Sequence, residues 1–346
     1  MSPARAGTGA YDQASNKEWN TMTLQTRFMN LQLKNPIIVA SSGLTKSADK
    51  IRACEEAGAA AVVMKSLFEE ALAREEWNLE AGAIGHAEAY DYMRAELGKQ
   101  YGPQEYCSTL EKAKKTVRIP VIASINCITA KWWPSYARQF ESAGADALEL
   151  NVHVTVADAR TTGGEAEQLY FEILDAVKAQ VKIPVLMKIG RQFSSFPNLA
   201  ARLGERGLDG LVLFNRFTQF DIDIHKRRLG MTFDFSRPEE HHEVLRWVAL
   251  LSGQTRCHLA ATTGIHSGEE IIKMLLAGAR AVEIASAFYK NGVELIPRLL
   301  AEIEAWMKEQ GLSELESSIG SLNMAQSSSP ELYLRAQFME KIRGWE

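Results

Sequence analysis

Cysteine is scarce in this chain, with four among 346 residues, at Cys54, Cys107, Cys127 and Cys257. No two lie close together, which argues against a disulfide framework, a structural zinc or an iron–sulfur cluster and fits a cytoplasmic protein with free thiols. Long apolar runs are missing as well. None approaches the roughly 20 residues needed to span a bilayer. Residues 1–20 are polar, lack the apolar centre of a secretory signal, and read as a mobile tail ahead of one domain over residues 21–346. Excess positive charge is also absent, and a net charge of -4 offers nucleic acid or an anionic membrane no electrostatic footprint. No G-x-G-x-x-G turn follows the first apolar run. That removes the usual mark of a doubly wound dinucleotide-binding sheet, the second-best reading of the fold.

What is present is a set of short apolar runs, each ending on a polar residue. Ala147-Leu148-Glu149-Leu150-Asn151-Val152-His153 is the fullest; others end at Lys65, Asn126, Lys188, Asn215 and Thr262-Thr263-Gly264. Runs begin near Pro36, Ala60, Val121, Ala147, Val185, Gly210, His258 and Ala281. Unbroken apolar runs separated by helical patterns are the mark of parallel strands covered by helices, and eight of them close a (β/α)8 TIM barrel. The punctuation repeats. Glycine ends helical stretches at Gly58, Gly144, Gly207 and Gly278, and Ile119-Pro120-Val121 and Ile183-Pro184-Val185 open two strands identically.

Several segments lie outside the repeat. Residues 21–26 and 31–33 alternate like the two strands of a short hairpin, with Asn30 in the turn. The connections over residues 68–117 and 216–237 are longer than a barrel requires, and Phe220-Asp221-Ile222-Asp223-Ile224 suits a small hairpin. Residues 293–308 and 331–342 read as extra C-terminal helices.

Strand ends of such a barrel converge on one mouth, where its chemistry sits. Lys65 and Lys188 with Asn126, Asn151 and Asn215 suit a flat heterocycle, since each amide offers both a donor and an acceptor. The simpler reading of Lys188 is an ion pair with a carboxylate such as Glu149. Thr263-Gly264, leading through Ser267-Gly268 into a helix, and Ala285-Ser286 at the next strand end suit a phosphate.

These residues resemble the dihydroorotate dehydrogenase family of FMN barrels, from about Thr23 to about Trp306. The match is carried by Asn35-Pro36, Ala40-Ser41, Lys65-Ser66, Asn126, Asn151, Lys188, Asn215, Thr263-Gly264 and Ala285-Ser286. The resemblance implies an FMN-dependent oxidoreductase acting on CH–CH groups in pyrimidine biosynthesis. It also implies FMN held by those residues from Ala40 onward, Lys188 beside the flavin, a small-molecule substrate, a homodimer and a redox partner protein. No metal is expected.

The substrate half departs from the pattern. Family members that oxidise dihydroorotate carry Asn-x-Ser-(Cys or Ser)-Pro-Asn after the fourth strand, whereas this chain has Asn151-Val152-His153-Val154-Thr155-Val156. Val154 stands where the base belongs and cannot move a proton. His153 and Thr155 flank it as replacement candidates, with His86 and Tyr90 behind them, although strand alternation points His153 and Val154 to opposite sides. Cys127 reads as a structural thiol. A substrate other than dihydroorotate, a flavin-bearing electron carrier, and a Schiff-base aldolase built on Lys188 are all open on the sequence.

Overall fold

The computed structural model describes residues 22–68, 102–126, 133–216, 219–232, 234–331 and 333–334. The expected tail over residues 1–20, His86, Tyr90, Cys127 and most of the expected helix over 331–342 lie outside them.

A hairpin of β1 (Thr26–Phe28) and β2 (Leu31–Leu33) precedes the barrel strands β3 (Ile37–Val39) and β4 (Ala61–Val63). The short β5 (Leu67–Phe68) extends the edge beside β6 (Val121–Asn126). Then come β7 (Ala147–Val152), β8 (Val185–Ile189) and β9 (Gly210–Leu213). A second hairpin, β10 (Gln219–Asp223) with β11 (Arg228–Thr232), interrupts the repeat before β12 (His258–Thr262) and β13 (Ala279–Ile284). Among the described residues the helices are α1 (Ala48–Glu56), α2 (Pro103–Thr116), α3 (Trp133–Ser142), α4 (Gly163–Lys178) and α5 (Phe196–Glu205). They continue with α6 (His241–Leu251), α7 (Gly268–Ala277), α8 (Ser286–Asn291) and α9 (Ile296–Glu309).

Eight parallel strands close on themselves in the order β3-β4-β6-β7-β8-β9-β12-β13, with β13 returning to β3 at Val282 and Ile37. This is the (β/α)8 barrel that the eight runs predict. Strand alternation divides the core in two. Leu148, Leu150, Val185 and Met187 pack outward against the helices, while Ile38, Val63, Ile122, Leu186 and Val212 fill the lumen.

The repeated Ile-Pro-Val openings have a repeated support. Proline offers no donor, so the amides around it turn to acids on neighbouring units. Asp146 Oδ2 accepts from Val121 N at 2.7 Å, and Asp209 Oδ2 accepts from Val185 N at 2.9 Å. Each aspartate also receives a lysine, Lys114 or Lys178. Asn35 belongs to this end of the barrel: its side chain bridges Gly58 O and Ile37 N.

The first hairpin strand lies at Thr26–Phe28, later than the alternation over residues 21–26 suggests. The reason is the plug it forms. Thr26 and Phe28 are fully buried while Arg27 is exposed, and Phe28, Met29 and Leu33 seal the lower lumen beneath Leu186 and Val212. Burying a side chain such as Phe28 is worth about 1.5–3 kcal/mol, and that burial outweighs the local pattern.

Candidate functional site

One pleat above the apolar lumen, the inward positions turn polar: Ser124, Glu149, Lys188, Thr262 and Glu283 are all buried. Ser124 sits opposite Glu149 in register, and Thr262 opposite Glu283. The Lys188 ammonium donates to Glu283 Oε2 at 2.9 Å, across the lumen from β8 to β13, so its bonded carboxylate is Glu283 and not Glu149. Glu149 Oε1 accepts instead from Ser124 Oγ at 3.0 Å. Burial, then the neighbouring Glu283, push the Glu149 carboxyl up to about 8. Burial works against the Lys188 ammonium, but Glu283 and Glu149 outweigh it and hold the amine above the ordinary lysine range. Such an amine stays charged. It is the opposite of the lowered-pKa nucleophile a Schiff-base aldolase needs.

At the carboxyl ends of the strands, Ala40, Ser41, Lys188, Asn215, Thr263, Gly264, Ala285 and Ser286 line one cavity of about 140 Å³. Asn151 joins it indirectly, its Oδ1 accepting from Asn215 Nδ2 at 2.7 Å. Ser66 joins through Ser41, the two hydroxyls 2.9 Å apart. Lys65, two residues past the end of β4, and Asn126, the last residue of β6, do not line this cavity, and Lys65 Nζ lies 6.0 Å from the Phe68 ring centre. A volume of 140 Å³ is below the usual ~300–1,000 Å³ of a ligand pocket, so it can take one end of a ligand whose remainder lies over the rim.

The Thr263-Gly264 turn has successive positive φ values of 79° and 74°. A Cβ on Gly264 would stand 2.3 Å from His241 N, so only glycine lets the turn pass beneath the start of α6. The helix after it does not offer its amino end to an anion as the sequence suggests. Ser267 N donates to Glu270 and Gly268 N to Glu302, so two carboxylates already occupy the amino terminus of α7. Nearby, Ser286 Oγ accepts from Ser236 N at 3.1 Å.

A second cavity, about 290 Å³, opens between the loops after β7 and β8 and is lined by His153, Val154, Val156, Tyr170 and Phe193. His153 Nε2 and Thr155 Oγ1 are 2.8 Å apart, and burial lowers the imidazole below its ordinary value. His153 and Val154 face this one cavity, against the alternation expectation, because β7 ends at Val152 and the pleat no longer governs. A wider cavity of about 560 Å³ lies at the opposite end, around His258 and Arg280 at the starts of β12 and β13. In barrels of this kind chemistry belongs to the carboxyl ends, so that cavity is set aside.

The sequence reading missed Glu283, Ser124, Arg216 and Ser236. Glu283 had a signal, a lone carboxylate inside Ala281-Val282-Glu283-Ile284. Arg216 had none: it lines the smaller cavity while its guanidinium is held by Glu240 at 2.9 Å, a partner from the turn just before α6.

The chain matches the family model described as dihydroorotate dehydrogenase over residues 23–307. It is 27% identical over 310 residues to the dihydroorotate dehydrogenase B (NAD(+)) catalytic subunit of Methanocaldococcus jannaschii, covering 86% of this chain and 97% of the relative. The protein of the same name from Methanosarcina acetivorans is 28% identical over 305 residues, covering 84% and 93%.

Proposed function

This chain belongs to the dihydroorotate dehydrogenase family, as an oxidoreductase acting on CH–CH groups, and we propose that it binds FMN at the barrel mouth and turns over a substrate other than dihydroorotate. The observation that carries the cofactor reading is the gathering of Ala40, Ser41, Lys188, Asn215, Thr263, Gly264, Ala285 and Ser286 around one cavity. The donor set fits: one fixed ammonium, a bonded pair of amides for a carbonyl-rich ring edge, and a glycine turn with Ser286 for a phosphate. When bound, FMN supplies the hydride acceptor. Lys188 then stabilises negative charge as it develops on the ring, because its ammonium is already fixed and desolvated. Asn151 and Asn215 orient the ring edge, and Ala40 and Ser41 border it.

The substrate half rests on the second cavity. Val154 has no proton to move, so we assign proton transfer to His153, with Thr155 orienting the imidazole at Nε2. Val154, Val156, Tyr170 and Phe193 line that cavity together with Thr162, Glu167, Gln192 and Ser194, a mixed surface that suits a molecule with both apolar and polar parts. As the relatives are named catalytic subunits, we also propose a separate protein as redox partner.

The test is spectroscopic. Purified protein should be yellow and release FMN on denaturation, and the bound flavin should bleach anaerobically with a small CH–CH substrate but not with dihydroorotate. A chain that takes up no FMN would end the cofactor reading; rapid bleaching by dihydroorotate would end the substrate reading. Bleaching by no candidate in a broad panel would favour an electron carrier.

A further inference from the structure

Two buried oxygens beneath the mouth, Glu149 Oε2 and Glu283 Oε1, have no hydrogen-bond donor among the described residues. Both side chains are fully buried in the lumen, reaching inward from strands on opposite sides of the barrel. Lys188 from β8 donates to Glu283, Ser124 from β6 donates to Glu149, and Thr262 from β12 lies beside Glu283 in register. Two carboxylates against one ammonium would leave a net negative charge in a dry interior, where desolvation strongly disfavours it. One proton between the orphaned oxygens removes both the excess charge and the missing donor.

The proton also has a path. Glu149 Oε1 accepts from Ser124 Oγ at 3.0 Å, Ser124 Oγ is 2.8 Å from Ser66 Oγ, and Ser66 Oγ is 2.9 Å from Ser41 Oγ. Ser41 Oγ in turn accepts from Ser66 N at 2.9 Å, which leaves its own hydrogen to point along the chain. Ser41 lines the small cavity, as do Lys188 and Glu283 at the other end.

We propose that Glu149 and Glu283 share one proton and that Ser124, Ser66 and Ser41 form a relay between this store and the cavity at the barrel mouth. Each transfer is balanced. Starting with both carboxyls ionised, a proton taken up at Ser41 Oγ is matched by the Ser41 hydrogen passing to Ser66, that of Ser66 to Ser124, and that of Ser124 to Glu149 Oε1. Half a turn of the carboxyl about its Cγ–Cδ bond then brings that single hydrogen between Glu149 and Glu283. One O–H bond forms and one breaks at each donating oxygen, and one proton moves across the layer. The shared proton is a property of the chain alone, while its service to a flavin reaction rests on the FMN reading above.

Infrared spectroscopy of the full chain, grown with carboxyl-¹³C glutamate, tests this. At neutral pH we expect a carboxylic-acid C=O stretch that shifts with the label and with D2O; in the E149Q protein it should be gone. Absence of a label-sensitive acid band in the wild type, or its persistence in both E149Q and E283Q, would overturn the shared proton. For the relay, exchange of that band after dilution into D2O should slow at least tenfold in S124A and S66A. Equal exchange rates in wild type and both serine variants would overturn the path. The label separates glutamate from flavin carbonyls, so a colourless protein showing the band would end the FMN reading and leave the shared proton standing.

Discussion

Lys188 is charged because Glu283 and Glu149 oppose its burial, and it is rigid because its Nζ is bonded at 2.9 Å. A pre-positioned cation of this kind costs no reorganisation when negative charge develops nearby. Lys188→Ala should lower the flavin content of the purified protein and slow anaerobic flavin reduction by about 10²-fold, the scale on which one preorganised donor acts. Released FMN and stopped-flow bleaching measure the two effects, and unchanged values in both would remove Lys188 from the site. His153 titrates in the other direction. Burial disfavours its charged form, so the neutral, proton-accepting ring persists below the ordinary histidine value of about 6.5. The kcat/KM profile should therefore have an acidic limb below that value, with activity lost as pH falls, and His153→Gln should abolish the limb. A limb that survives in the variant assigns the proton to another group. Neither property was legible from the sequence: Glu283 lies 95 residues from Lys188, and the shielding of His153 comes from the cavity walls.

Among the elements, the turn between β12 and α7 concentrates the constraints. Gly264 combines a φ of +74° with a backbone neighbour 2.3 Å from any added Cβ. Gly264→Ala should destabilise the chain by more than about 1 kcal/mol, since an L side chain is strained at that φ and the clash adds to it. It should also displace Thr263 and weaken FMN retention. Gly230→Ala on β11 is the control, because its Cβ would meet only Asp221 O at 3.8 Å. Thermal melts of the two variants read the difference, and equal melting temperatures would refute the packing account. Element boundaries were legible where a local rule acts alone. Gly278 ends α7 at a φ of +118°, as its position after the apolar helix implies. They were misread where a distant partner intervenes: β1 is set by the plug it forms, and the amino end of α7 is closed by Glu302 of α9.

Taken as a whole, the molecule carries a polar layer between an apolar lumen and an open mouth, and its stability should register that layer. Glu149 binds a proton more tightly folded, at about 8, than at its ordinary value of 4.5. Its contribution is thus fully present below about 4.5 and is lost as pH rises through about 8. Relative to Glu149→Gln, the wild type should lose up to about 1.4 kcal/mol of unfolding free energy per pH unit across that window. Urea unfolding at a series of pH values measures the difference, and parallel curves would show that Glu149 ionises freely. Histidines held below their ordinary value, such as His258, act with the opposite sign, so the comparison with the variant isolates the carboxyl group. The chain's own order determined the eight strands, their polar ends and the glycine stops, because periodicity and turn chemistry are local and repeat with each β/α unit. That His153 and Val154 share a cavity was decided by the end of β7 at Val152, past which the alternation of the strand no longer acts. Only closure of the barrel decided which carboxylate meets Lys188 and that Glu149 and Glu283 face each other, relations that join residues on different strands and that no spacing along a single strand encodes.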